Sequence, residues 1–447
     1  MPTEMTTPLR AAPGIASHAW ELVRPYLRWL YYRIRPSTRP PYFNECWHAP
    51  RAQGNPLAGA APPRPAVVFL PMTDWHTRIQ RSQHLARAFA ARGHTCLYVN
   101  PHLGCEYHQP ALFEPESRIH TLEPGVHEFH AHLPAEHVFH RRLLRPSESA
   151  RIARELSALL EESRVPVILV VSFPIWLDVA VTLRRLHGCP IVYDCHDFLA
   201  GFRNVDRSIV ESEDALLAQS DLIAFSARYL MDRTLGSHPQ ARERSVLIRN
   251  AVDSAAFLGA ARPASPGPVV GYAGALDHWF DVDAVASAAA AHPHCRFPLI
   301  GRIEDDRVQC LQRFPNVEFL GELPHSALPA HYASWHAGLI PFLNNQLTRA
   351  ADPIKLYEYF SCGLPVVSTR LPEVERFQDL VYLADSPPDF ASAVGAALLE
   401  SNPARNQARR EIARQESWSS RCNGFIEALQ RVVQFREGVV PGTSSGG

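Results

Sequence analysis

The sequence predicts an α/β protein of two successive parallel-sheet domains, with an N-terminal extension and a C-terminal helical tail. Three observations carry this. Short apolar runs alternate with helical stretches along most of the chain, the pattern of repeated strand–helix–strand units. The alternation breaks at residues 261–267, an Ala/Arg/Pro/Ser/Gly segment that reads as a linker. The 447 residues also exceed what a single hydrophobic core usually serves.

Residues 1–64 read as the extension. They carry Pro36, Pro40, Pro41, Pro62 and Pro63 and end in an Ala/Gly/Pro stretch over 54–65. The first domain, 65–262, opens with a strand over 66–70, a helix over about 78–92 stopped at Gly93, and a strand over 95–99. Residues 105–150, rich in His and Pro, read as irregular. They are either loops that shape a substrate site or plain connections. Strands follow at 167–171, 190–194, 221–226 and 246–248, with a helix over 208–219. The second domain, 263–410, places strands at 268–272, 296–300, 317–320, 337–341 and 364–367. The tail is helical over about 403–435, with 411–436 a final helix and 437–447 a Gly/Ser-rich end.

Composition narrows the function. A hydrophobic share of 46% and a charged share of 20% describe a globular, soluble chain. A net charge of -1 argues against broad electrostatic binding of nucleic acid. Nine scattered cysteines without a CxxC pair fit reduced thiols in a cytoplasmic compartment and give no zinc signature. No apolar run is long enough to span a bilayer, and no signal peptide is evident. Residues 18–35 mix Trp20, Tyr26, Trp29, Tyr31 and Tyr32 with Arg24, Arg28, Arg33 and Arg35. Such a stretch either lies on a membrane surface or packs on the protein body with its arginines in water, and Pro25 interrupts it.

The most informative segment is 352–369, "DPIKLYEYFSCGLPVVST". Pro353 suits a first helical turn, Leu356, Tyr357 and Phe360 give one apolar side, and Gly363 ends the helix before a buried strand. Lys355 and Glu358 lie three apart, on one face near the N-terminus. A helix N-terminus with a lysine attracts phosphate, and a carboxylate one turn on accepts hydrogen bonds from sugar hydroxyls. These are the parts needed to hold a nucleotide diphosphate and its ribose.

This segment resembles the donor-binding helix of GT-B glycosyltransferases, especially glycosyltransferase family 4 and its relatives among the group 1 glycosyl transferases. The resemblance runs collinearly through most of the second domain, over "GYAGALDHWFD" (271–281), "LIG" (299–301) and "NVEFLGELPHSALPAHYASWHAGLIPF" (316–342). It touches the first domain at "WHTRIQRSQH" (75–84), "YDCHD" (193–197) and "IRNAVD" (248–253). Trp418 resembles the tryptophan of the family's last helix. The resemblance implies two Rossmann-like domains facing a central cleft, a nucleotide-diphosphate sugar bound mainly by the second, and a glycan or lipid-linked hydroxyl acceptor held by the first. It further implies retention of anomeric configuration with no metal or other cofactor, and a place in bacterial surface-polysaccharide or glycolipid synthesis. The expected location is cytoplasmic, peripheral on the inner face of the membrane through residues 18–35.

The resemblance assigns Glu358 to the ribose; with the family's usual phosphate-clamping pair missing, the diphosphate falls to Lys355 first and Arg302 second. Arg302 reads equally as a surface arginine at a strand end. Gly271 and Gly274 would bring backbone close to a phosphate. Asp281 and Asp352 complete the donor-side set. His196 and Asp197 fall where the family places a His or Asp beside the transferred sugar, which implies that either orients a hydroxyl or accepts a proton, although Asp197 reads as well as a cap. Arg81 and His84 would face the acceptor, or are solvated residues of an ordinary helix. The chain departs from the family at two points. Leu276-Asp277-His278 stands where a phosphate-clamping Arg/Lys pair is usual, and Ala350 stands where the first glutamate of a Glu-x7-Glu motif is usual. These departures keep two rivals open, a GT-B sugar-nucleotide epimerase and a catalytically degenerate binding subunit.

Overall fold

The computed structural model describes residues 15–36, 48–135, 139–257 and 267–437. Residues 1–14 and 37–47 of the extension, 261–266 of the linker, and 438–447 of the tail lie outside them. The described residues within 1–191 and 204–219 form one compact unit, and those within 192–203 and 220–447 form another.

The first sheet has eight strands: β1 (Ala66–Leu70), β2 (Cys96–Val99), β3 (Arg118–Glu123), β4 (Val126–His130), β5 (Val167–Val171), β6 (Ile191–Cys195), β7 (Leu222–Phe225) and β8 (Ser245–Leu247). Their spatial order is β3-β4-β2-β1-β5-β6-β7-β8. Pairings such as Val68 to Leu97 and Val68 to Leu169 are parallel, so crossovers must be helical. They include α2 (Arg81–Ala90), α3 (Pro146–Glu161), α4 (Leu177–His187), α5 (Arg207–Gln219) and α6 (Arg228–Ser237). Before them, α1 (Ile15–Ile34) runs unbroken through Pro25, so the proline does not interrupt it.

Two differences from the sequence reading matter. The span 105–150 is not only loop: β3 and β4 form an antiparallel pair there, and β4 joins β2 in parallel. Buried His120, Glu128 and His130 on these strands hid the apolar pattern on which strand recognition rests. In addition, α2 begins at Arg81 rather than 78, because Asp74 folds the preceding residues into a turn, accepting from the N–H groups of His76 and Thr77 at 2.8 Å each.

The second sheet has six strands in the order β11-β10-β9-β12-β13-β14. They are β9 (Val270–Ala273), β10 (Phe297–Ile300), β11 (Val317–Gly321), β12 (Ala337–Ile340), β13 (Val366–Thr369) and β14 (Val381–Ala384). Alternation sets the layers. Tyr272, Leu299, Leu339 and Val367 join one core with α7 (Val282–Ala291) and α10 (Pro387–Leu398). Their neighbours Ala273, Ile300, Ile340 and Val366 join the other, with α8 (Leu328–Ser334), α9 (Ile354–Ser361) and α11 (Pro403–Gln415). Successive strand residues point to opposite faces, and both faces are covered, as parallel sheets require.

Glycines let rings sit directly on this sheet. A Cβ on Gly271 would overlap Trp335, and one on Gly338 would lie 2.5 Å from the Tyr359 ring. Gly271 thus leaves room for the Trp335 ring. The tail is two helices, α11 and α12 (Trp418–Glu437). Buried Arg409 of α11 makes a two-pronged bond to Glu400, both at 2.6 Å, and donates to the Leu380 carbonyl at 2.9 Å.

Candidate functional site

Helix α9 builds the centre. It is fixed at its C-terminus by Gly363 at φ 74°. There the N–H of Gly363 donates to the Phe360 carbonyl (2.8 Å) and that of Leu364 to Tyr359 (3.0 Å), the double bond that glycine makes possible. At its N-terminus Pro353 is the cap residue and not the first helical one, with no side-chain cap bond. The first-turn N–H groups therefore lack the side-chain oxygen that Ser, Asp or Asn would bring.

One turn in, Glu358 is only 1% exposed. Its carboxylate accepts from the Tyr332 hydroxyl at 2.9 Å, lies 3.2 Å from His325 Nε2, and meets Lys355 Nζ at 3.1 Å. Burial alone would raise its pKa. The Lys355 ammonium and the His325 contact outweigh burial and bring it from 4.5 down to about 2. The structure thus unites Lys355 and Glu358, as the spacing predicts. His325 and Tyr332 were not foreseen as their partners, because Tyr332 stands 26 positions before Glu358, beyond the reach of any local pattern.

The remaining donor-side residues are placed elsewhere. Asp352 turns from this pair to accept from the Asn250 backbone N–H at 2.7 Å and from the Tyr357 hydroxyl at 2.9 Å. Burial, with Glu373 nearby, raises its pKa to about 6. Asp281 caps α7, accepting from the Ala284 N–H at 3.0 Å. Arg302 is 58% exposed and paired with Glu304, its Nε at 2.6 Å from the carboxylate. Gly274 makes room for the Tyr272 phenol, which donates to the Ala275 carbonyl at 2.9 Å. At the departure from the family's Arg/Lys pair, His278 Nδ1 lies 3.0 Å from Asp277, and its Nε2 lies 3.2 Å from the Gly201 carbonyl.

His196 and Asp197 follow β6 directly. His196 Nε2 is 3.5 Å from the Asp197 carboxylate, and its Nδ1 is 3.0 Å from the Asp194 carbonyl. The Ser226 hydroxyl donates to the His196 backbone carbonyl at 2.9 Å.

In the first unit, Arg81 and His84 open α2 but are buried, at 2% and 8% exposure. They are not the solvated residues of an ordinary surface helix. At the C-terminal ends of β2 and β4 lies a buried charged group that the sequence reading missed. His130 stands between Glu106 (2.9 Å) and Glu128 (3.2 Å), and Glu128 also meets His76 at 2.7 Å and accepts from Asn100 at 2.8 Å. Burial opposes charge on His130, but the two carboxylates prevail and lift its pKa to about 9. Among the described residues one trio, His292, His294 and Cys295, brings potential metal ligands within 4.8 Å of one another. It follows α7 and includes none of the donor-side candidates.

The two parallel α/β sheets place the chain in a class by fold, that of the GT-B proteins. Residues 267–400 match the family described as Glycosyl transferases group 1. The chain is 27% identical over 255 residues to a protein of Bacillus subtilis named as a teichuronic acid biosynthesis glycosyltransferase, TuaH. That match covers 51% of this chain and 64% of TuaH. Among solved structures, sucrose-phosphate synthase from Thermosynechococcus elongatus superposes with a TM-score of 0.62 at 15% identity, over 84% of this chain and 98% of the other. Anabaena HepE, solved with UDP and glucose, gives 0.56 at 16% identity, over 82% and 100%. The α,α-trehalose 6-phosphate synthase of Burkholderia multivorans gives 0.57 at 14%, over 85% and 99%. At these identities the structures show the GT-B fold.

Proposed function

We propose that this chain is a glycosyltransferase that moves a sugar from a nucleotide-diphosphate sugar to a hydroxyl acceptor, with retention and without a metal ion. The observation that carries the proposal is the buried carboxylate of Glu358, held ionised beside Lys355 at the uncapped start of α9, inside the segment that matches the group 1 family. Lys355 and the first-turn N–H groups would hold the diphosphate. Glu358 would exchange part of its present bonding for the ribose hydroxyls. Arg302 reaches the phosphates only by leaving Glu304, and Asp352, Asp281 and Gly274 would shape the donor loops through the contacts described above.

In the reaction the bond from the anomeric carbon to the diphosphate oxygen breaks as the bond to the acceptor oxygen forms. The acceptor proton passes to the departing phosphate or to His196, with Asp197 steadying the imidazole. Arg81 and His84 would border the acceptor. By analogy with the name of TuaH, the acceptor would be a growing bacterial surface glycan or its lipid-linked precursor, met at the inner face of the cell membrane. Incubation of the protein with labelled UDP-sugars and membrane lipid extract, with and without EDTA, tests this. EDTA-insensitive product of unchanged anomeric configuration by NMR supports it, and an inverted anomer removes retention. Isomerised donor formed without acceptor would establish the epimerase instead. The exposed, Glu304-bound position of Arg302 and the lack of an Arg/Lys pair favour the degenerate subunit as second reading, which predicts nucleotide binding with no turnover.

A further inference from the structure

Helix α1 has two faces. One is docked: Glu21 receives bonds from Arg142 at 3.0 Å and Arg145 at 2.6 Å, Pro25 is buried, and Tyr26 and Trp29 pack on Phe113 with ring centroids 6.1 and 5.6 Å apart. The other is a row of exposed apolar side chains, Trp20, Val23, Leu27, Leu30, Tyr31 and Ile34, from 45% to 68% exposed. Their spacing of three and four residues puts all six on one stripe, opposite the docked face. A soluble protein rarely leaves such a row open unless something covers it.

We propose that this stripe is the surface by which the protein docks on a bilayer of anionic lipids. The proposal deepens the membrane-surface part of the function above and rests on it. Arg24, Arg33 and Arg35 stand exposed along the helix. On the helical wheel Arg24 and Arg35 fall on one flank of the stripe, while Arg33 lies toward the docked side, its guanidinium 5.4 Å from the centre of the Trp29 ring. The one carboxylate of the helix, Glu21, is turned inward to Arg142 and Arg145. An apolar row bordered by cations, with Trp and Tyr within it, matches the boundary between acyl chains and anionic headgroups. A second copy of the chain fits worse: two such stripes face to face would bring the same arginines together, and the helix itself has no carboxylate on that face to meet them. No described helix is long and apolar enough to cross a membrane, so the helix would lie along the surface. Glu21 would fix its rotation, keeping the apolar row outward.

Flotation of the full chain with vesicles of phosphatidylcholine, with and without phosphatidylglycerol, tests the proposal. The expected result is association with the anionic vesicles and a blue shift of Trp fluorescence. Leu27→Asp with Leu30→Asp should weaken partitioning by at least ~100-fold. Arg24→Gln with Arg35→Gln should weaken the anionic preference by about 30-fold. Thermal response to nucleotide sugars should stay unchanged in both variants, which shows that they fold. Failure of either variant set to weaken binding, or absence of vesicle association, would overturn the proposal. So would a concentration-dependent dimer in sedimentation, abolished by the Leu27→Asp variant in the absence of vesicle binding. Vesicle association without any nucleotide response would instead remove the transferase reading and leave the docking surface standing.

Discussion

Glu358→Gln separates the charge of the central carboxylate from its shape. In the wild-type chain the carboxylate pKa falls from 4.5 to about 2, a shift that corresponds to about 3 kcal/mol favouring the ionised form. Glutamine approximates the neutral acid, so the substitution should cost about that much at neutral pH. For a unit of roughly 200–250 residues this lowers Tm by about 6 °C. The pH dependence has a definite sign. A depressed carboxylate pKa contributes stability above the unfolded value of 4.5 that is lost as pH falls toward about 2. The difference in Tm between wild type and variant should therefore be full at pH 7 and shrink through pH 4. Donor affinity should fall as well. Loss of a charged hydrogen-bond acceptor for ribose is worth ~1.5–3 kcal/mol, or roughly 10- to 150-fold in Kd. Calorimetric scans across pH, paired with titration of the nucleotide sugar that binds, read both effects. A variant that melts like wild type at pH 7, or that binds donor equally well, would refute the placement of an ionised Glu358 at the donor site.

Two further outcomes follow from the packing. His130 has its pKa raised from 6.5 to about 9 between Glu106 and Glu128, so its contribution to stability is full below pH 6.5 and lost as pH rises through about 9. Tm should decline over that window, and His130→Gln should flatten the decline. A wild-type Tm constant from pH 6.5 to 9.5 would contradict it. Gly338→Ala forces a Cβ to within 2.5 Å of the Tyr359 ring and should cost about 1–3 kcal/mol. Chemical denaturation of this variant should show a lower midpoint with an unchanged slope, and an unchanged midpoint would show that the ring yields freely.

The second domain was legible because local rules agree there. Strand residues alternate between two apolar layers, and Gly363 ends α9 where the sequence demands. β14 went unread because Val381–Ala384 is short and two of its four residues are only partly buried. β3 and β4 went unread because their inward positions hold His and Glu, whose burial depends on partners far along the chain. The site divides the same way. Lys355 and Glu358 share a helix, so spacing alone joins them. The Asp281 cap, the Arg302–Glu304 pair and the Asp352 bond to Asn250 are set by tertiary neighbours that no periodicity announces. Buried Arg81 shows the converse: its charge suggested solvent, and the fold put it inside.

The most direct test of the central claim is thermal shift of the purified full chain with UDP-, GDP-, ADP- and TDP-sugars, with and without EDTA. A ligand that binds only the folded state raises Tm, and at a hundred times its Kd it adds about 2.7 kcal/mol. The account predicts a rise for one nucleotide class, insensitive to EDTA and much reduced in Glu358→Gln. A rise that EDTA abolishes, or that Glu358→Gln leaves intact, or no rise with any nucleotide at millimolar concentration, would contradict it.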